Sequence, residues 1–193
     1  MDQGHEELPE LLAGDVDRYF EQLMRVYQHR LYAFALRQAG NEQDAEDIVQ
    51  EAFLRAHHAL KNYPESQIQA LRLQQWLYKI TLNVLRNAAR KSEHIAAVPL
   101  DLSEDSPLLA LEDQAAGPDE EAKQHDLEQE LAIHLMTLPP PYRLLINLHY
   151  FEDLSYREIA ELLNQPAGTV KANMHRGLQL LRRALGSSMN EAR

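Results

Sequence analysis

Cysteine is absent from this 193-residue chain. That removes disulfides, thiolate nucleophiles, zinc fingers and iron–sulfur ligation, and it is compatible with a reducing cytoplasm. Aromatic residues make up only 7%, too few for a strand-rich fold. No apolar run approaches the roughly 18 residues of a membrane span. The opening MDQGHEELPELLAGD is acidic, where a secretory leader is basic and then apolar. These absences predict a soluble, cytoplasmic protein with no direct membrane insertion. The chain is also shorter than the roughly 250 residues of a TIM barrel. What remains is 45% hydrophobic and 25% charged, enough for one or two small, mostly helical domains.

Basic charge is scarce overall, the net charge being −11, and a polyanion would repel such a chain taken whole. The distribution reverses that reading. Residues 1–54 carry about −8, residues 55–91 about +6, residues 92–130 about −11 and residues 131–193 about +2. From Asn164 to Asn190 there is no acidic residue, while Lys171, Arg176, Arg182 and Arg183 are present. Two positive islands between two acidic stretches suit two DNA-facing surfaces and a separate surface for a basic protein.

Residues 1–14 read as an N-terminal tail. Three helices follow over residues 15–91. The first carries Phe20, Leu23, Met24, Tyr27, Leu31 and Phe34 at helical spacing and stops at Gly40-Asn41. The second runs from about Glu42 to Leu60 and the third from about Ile68 to Lys91, burying Leu73, Leu77, Ile80 and Val84. Between Ser92 and Asp126 the periodicity fails among four Pro and Gly residues and nine acidic ones from Asp101 to Asp126, which predicts a flexible acidic linker. A second helical domain follows over residues 127–185. Its first helix, Leu127 to Leu138, stops at three prolines, and residues 186–193 read as a tail. The fold class is therefore all-α, with two small helical domains joined by the linker.

The second domain holds the most informative stretch. Ser155 and Glu158 form a capping box, with Leu154 and Ile159 placed as its hydrophobic staple. A turn over Asn164 to Gly168 then separates two short helices, the pattern of a helix-turn-helix whose second helix enters the major groove. Thr169, Lys171, Ala172, Asn173, His175, Arg176 and Gln179 are its predicted exposed positions, a mixture of base-edge readers and phosphate binders. A helical hairpin with a solvated polar face is the competing interpretation.

In the first domain, Arg72, Trp76, Lys79, Asn83, Arg86 and Arg90 recur every three or four residues and share one helix face. Cations and one aromatic in that register suit single-stranded nucleic acid, although basic helix faces are commonly just solvated. Asp44, Asp47, Gln50, Glu51 and Leu54 present an acidic face with an exposed leucine on the second helix, suited to a basic protein. An enzyme reading based on His57-His58 or His125-Asp126 finds no second ligand set at metal spacing. Neither catalytic residues nor a cofactor or metal are expected.

These residues resemble the extracytoplasmic-function sigma factors, the small promoter-recognition subunits of bacterial RNA polymerase. DAEDIVQEAFLRAHHAL resembles region 2.2 of that family, QWLYKITLNVLRNAARK its regions 2.3 to 2.4, and the run from Leu138 to Arg183 nearly all of region 4. The resemblance covers about residues 16–91 and 127–185. It implies that the acidic face around Asp47, Gln50 and Glu51 docks on a coiled coil of the core polymerase's largest subunit. It further implies that the stripe from Arg72 to Arg90, with Asn62, Tyr63 and the loop to Leu73, meets the minus-ten element and holds a flipped base. The helix from Thr169 to Arg183 would read the minus-thirty-five element, Tyr142 to Phe151 would dock on the polymerase flap, and the linker would thread polymerase channels. An anti-sigma factor is a further implied partner. The chain departs from the family pattern in a longer stretch between Tyr63 and Leu73, where Leu73 replaces an aromatic. It departs again at Ala172-Asn173, and at Gly177, which weakens a helix by about 1 kcal/mol relative to Ala. The alternative function is a stand-alone helix-turn-helix transcriptional regulator.

Overall fold

In a computed structural model, residues 7–91 and 134–191 are described. They contain helices and turns and no strand. The chain divides into two compact units, residues 1–97 and 98–193.

The first unit begins with α1 (Leu8–Gly14), followed by α2 (Val16–Ala39), α3 (Glu42–Asn62), α4 (Glu65–Gln69) and α5 (Leu73–Lys91). Local chemistry sets several of these ends. Asp15 caps α2 by accepting from the Arg18 amide at 3.0 Å, and Asn41 caps α3 by accepting from the Asp44 amide at 2.8 Å. Such caps contribute about 1 kcal/mol each. Gly40 takes the left-handed φ of 83° that lets the chain leave α2 while its amide still bonds the Leu36 carbonyl. Phe34 and Tyr78 meet edge to face at 5.1 Å, joining α2 to α5, and Phe20 meets Phe53 at 6.3 Å, joining α2 to α3.

Three expectations for this unit are corrected. Residues 8–14 are not a tail: they form α1, whose Leu8 and Leu12 are fully buried, each side chain contributing about 1.5 to 3 kcal/mol. The third helix does not run unbroken from Ile68. Residues 70–72 separate α4 from α5, and the Trp76 amide bonds the Arg72 carbonyl at 2.9 Å to open α5. Ile68 is buried on α4 instead. Along α5 the buried residues include Leu73, Leu77, Tyr78, Thr81, Leu82, Val84 and Leu85, while Ile80 is only half-buried. Burial is therefore broader than the anticipated stripe, because α2 and α3 both pack against this helix.

In the second unit residues 134–136 are helical, and α6 (Pro140–Ile146) opens on two prolines in its first turn, where a missing amide donor costs nothing. A π-helical turn, Asn147–Phe151, extends it. Then come α7 (Tyr156–Leu163) and α8 (Ala167–Glu191). The α8 backbone remains helical through residues expected to form a tail. Linker residues 92–126, the start of the Leu127–Leu138 helix and the His125-Asp126 pair lie outside the described residues.

Candidate nucleic-acid interface

The helix-turn-helix is built by local rules. The Ser155 side chain accepts from the Glu158 amide, and Glu158 Oε2 accepts from the Ser155 amide at 2.8 Å, so both halves of the capping box are present. Leu154 and Ile159 are buried beside it. Asn164 ends α7 in the left-handed region at φ 55°, and the Gln165 amide reaches back to the Ala160 carbonyl at 2.9 Å. Only residues 164–166 separate α7 from α8.

On α8, Lys171 and Gln179 are exposed, and Thr169, Ala172, His175 and Arg176 are half-buried. Asn173 departs from its predicted exposure, being only 3% exposed. The cause is register: it shares a face with Val170, Met174 and Gly177, all buried, on the helix that packs against α6. Its Oδ1 accepts from Arg176 Nη1 at 3.4 Å, so the asparagine steadies an arginine of the candidate surface. Gly177 is explained by the same packing, since a Cβ there would stand 3.0 Å from Tyr142 Cβ.

Tyr156, beside α8, is a contact that the sequence pattern does not mark. The Lys171 ammonium lies 5.7 Å from the centre of the Tyr156 ring, and His149 stacks on that ring at 4.5 Å and 26°. The His149 Nδ1 contacts the Leu154 carbonyl at 2.8 Å. Tyr156 thus gives Lys171 a preferred position at the surface. Their separation of fifteen positions crosses a turn, so no helical spacing could have revealed it.

In the first unit, Arg72, Lys79, Asn83 and Arg90 are exposed, and Trp76 and Arg86 are half-buried. The Arg86 Nε is buried and has no hydrogen-bond partner among the described residues. Its guanidinium is held below its ordinary value first by burial and then by the charge of Arg90. A phosphate beside this pair would offset both effects. The Tyr63 and Trp76 rings lie 6.2 Å apart, bringing together the start and end of the segment that carries α4. Asn62 is exposed, and its side-chain amide donates to the His58 carbonyl at 2.7 Å, finishing α3.

On α3, Asp47 and Gln50 are exposed, Asp44 and Glu51 half-buried, and Leu54 is 67% exposed. Asp44 is engaged with Asn41, whose Nδ2 donates to its Oδ2 at 2.6 Å. Glu51 Oε1 accepts from Arg55 Nε at 2.7 Å, a pairing legible from the i, i+4 spacing. Among the described residues no cluster of three His, Asp or Glu stands together as a metal site, and no helix is long and apolar enough to cross a membrane.

An all-helical chain with a capped helix-turn-helix in one unit and a basic, tryptophan-bearing helix in the other has the architecture of a DNA-dependent transcription protein. Comparison with known proteins gives the family. The model of Sigma-70 region 2 matches residues 23–95, and that of Sigma-70, region 4 matches residues 134–181. The chain is 31% identical over 175 residues to the ECF RNA polymerase sigma factor SigW of Bacillus subtilis, covering 89% of this chain and 91% of that protein. It is 34% identical over 174 residues to ECF RNA polymerase sigma factor SigE of Mycolicibacterium smegmatis, covering 89% of this chain and 63% of the relative. The fold matches that of CnrH, solved in complex with the cytosolic domain of CnrY, with a TM-score of 0.64 at 23% identity, covering 94% and 97% of the two chains. The chain belongs to the ECF sigma factors of the sigma-70 family, which are transcription initiation factors.

Proposed function

We propose that this chain binds bacterial core RNA polymerase and directs it to specific promoters, each unit contributing a separate contact. The exposed acidic face of α3, around Asp47, Gln50, Glu51 and Leu54, would dock on a basic surface of the polymerase. Arg72, Lys79, Arg86 and Arg90 would neutralise minus-ten phosphates, while Tyr63 and Trp76 receive an unpaired base. Opening a base pair costs a few kcal/mol. Stacking returns about 1 to 3 kcal/mol per base, so a pocket that rewards one base turns melting into selectivity.

α8 would read the upstream element in the major groove through Lys171, His175, Arg176 and Gln179, with Thr169 and Ala172 close to the backbone. Asn173 would act through Arg176. The domain bounds 15–91 and 127–185, with 92–126 as linker, and these residue roles belong to this proposal. So do a cytoplasmic location, an anti-sigma partner that covers the binding surfaces, and the absence of a catalytic role, the polymerase carrying out the chemistry.

The observation that carries the reading is the pairing, within one chain, of a cationic α5 face beside the Tyr63–Trp76 pair with a helix-turn-helix free of acids along α8 up to Asn190. A stand-alone regulator would account for the second unit but leaves the region 2 match over residues 23–95 without a use. The test adds the purified chain to sigma-free core polymerase with a randomised promoter library and sequences the transcript starts. Chain-dependent initiation from promoters sharing two elements is expected. Failure both to initiate and to bind core would sink the proposal in favour of the stand-alone regulator.

A further inference from the structure

The helix α1 stands outside the matched family region, which begins at residue 23. Its seven residues are too few to hold a helix alone. Packing must hold it, and Leu8, Leu12 and Ala13 are its buried side chains. Among the described helices, α1 packs mainly against α2 and α4. For α4 the dependence is stronger. This five-residue helix has one buried side chain, Ile68, and its only extensive packing among the described helices is against α1.

The position of α4 gives that contact a consequence. It lies between Tyr63 and Arg72, inside the segment whose ends carry the Tyr63–Trp76 ring pair. A second tie fastens the same corner. Asp17, two residues past the α1–α2 junction at Asp15, accepts from Lys61 Nζ at 2.9 Å and contacts His57 Nε2 at 3.0 Å. Lys61 lies in the last turn of α3, two residues before Tyr63. The N-terminal helix therefore grips the segment directly through α4, while Asp17 anchors the chain just upstream of it.

We infer that α1 is a brace that holds residues 63–72 in place, so that Tyr63 and Trp76 are preset to capture an unpaired base during promoter opening. The choice of ligand rests on the function proposed above; the bracing itself does not. Its residues are positioning residues, since none of them touches nucleic acid in this scheme.

The test uses the full chain with Leu12→Ala, and with Ile68→Ala made from the opposite side of the contact. Hydrogen exchange in the free protein is expected to rise about tenfold or more across residues 65–72 in both variants, with α2, α3 and α5 retaining their protection. With core polymerase, open-complex formation on duplex promoter DNA is expected to fall about tenfold while affinity for core stays within about twofold. Leu12→Met, which refills the space, should restore both readouts. Unchanged exchange at residues 65–72, or an equal rise across the whole first unit, would overturn the brace whatever the protein's function. Raised exchange with normal promoter opening would overturn its role in base capture. If the unaltered chain fails to initiate at all, the sigma reading fails, and the exchange data still decide the brace.

Discussion

Gly177 on α8 faces Tyr142 on α6 so closely that a methyl group in its place would stand 3.0 Å from Tyr142 Cβ and 3.3 Å from Ile146 Cδ1. Alanine would favour the helix by about 1 kcal/mol. Because Tyr142 Cβ is attached to the α6 backbone, relief requires a displacement of a few tenths of an ångström between α6 and α8, and overpacking of this kind costs about 1 to 3 kcal/mol. Gly177→Ala is therefore expected to destabilise the second unit by about 1 kcal/mol. Urea unfolding of the full chain, followed by a probe in that unit, checks this; a more stable variant would show that α6 moves freely.

Trp76 is half-buried, its ring 6.2 Å from that of Tyr63. Trp76→Ala should weaken binding of the chain–polymerase complex to a single-stranded minus-ten oligonucleotide by about 1 to 3 kcal/mol. Trp76→Phe should recover most of the loss. Fluorescence anisotropy reads both, and equal affinities for all three proteins would remove Trp76 from the base site.

The α8 residues separate by their surroundings. Arg176→Ala is expected to cost about 1 to 3 kcal/mol and to relax preference at one base pair, whereas Lys171→Ala should weaken all sequences alike and reduce the salt slope by about 1. Asn173→Ala should act mainly on stability and on Arg176, because the asparagine is buried. Binding titrations against a set of single-base variants at several salt concentrations distinguish these outcomes.

Leu54 is 67% exposed on the acidic face of α3. Leu54→Asp should therefore leave the melting temperature nearly unchanged, since exposed substitutions of this kind stay within about 0.5 kcal/mol. It should lower affinity for core polymerase and spare duplex binding through α8. Undiminished core affinity would place the docking surface elsewhere.

Hydrogen bonds from Lys61 first and His57 second hold the Asp17 carboxyl below its ordinary value of 3.8. A carboxylate with a depressed folded value adds stability above its unfolded value and loses it as pH falls through the folded one. Asp17→Asn should consequently melt lower than the native chain at neutral pH, with the difference closing below pH 3.8. Thermal melts of both proteins from pH 7 downward follow the gap; a constant difference would assign the effect to shape rather than charge.

Much of the site was legible along the chain because its determinants are local. The capping box at Ser155, the staple of Leu154 and Ile159 and the turn at Asn164 involve neighbours a few residues apart, and the face from Trp76 to Arg90 follows from helical period alone, Arg72 lying just ahead of α5. The burial of Asn173 is not legible along the chain for the opposite reason. A polar residue looks solvent-facing until a second helix, here α6, covers its side of α8.

By itself the sequence determined an all-helical chain, its charge islands and its helix-turn-helix, all consequences of periodicity, capping and composition. Tertiary structure decided that residues 8–14 are a helix, that α4 breaks away from α5, and that Tyr63 lies 6.2 Å from Trp76. The physical reason is that α1 and α4 are too short to stand alone. Leu8, Leu12 and Ile68 become helical core only when α1 packs on α4 and α2.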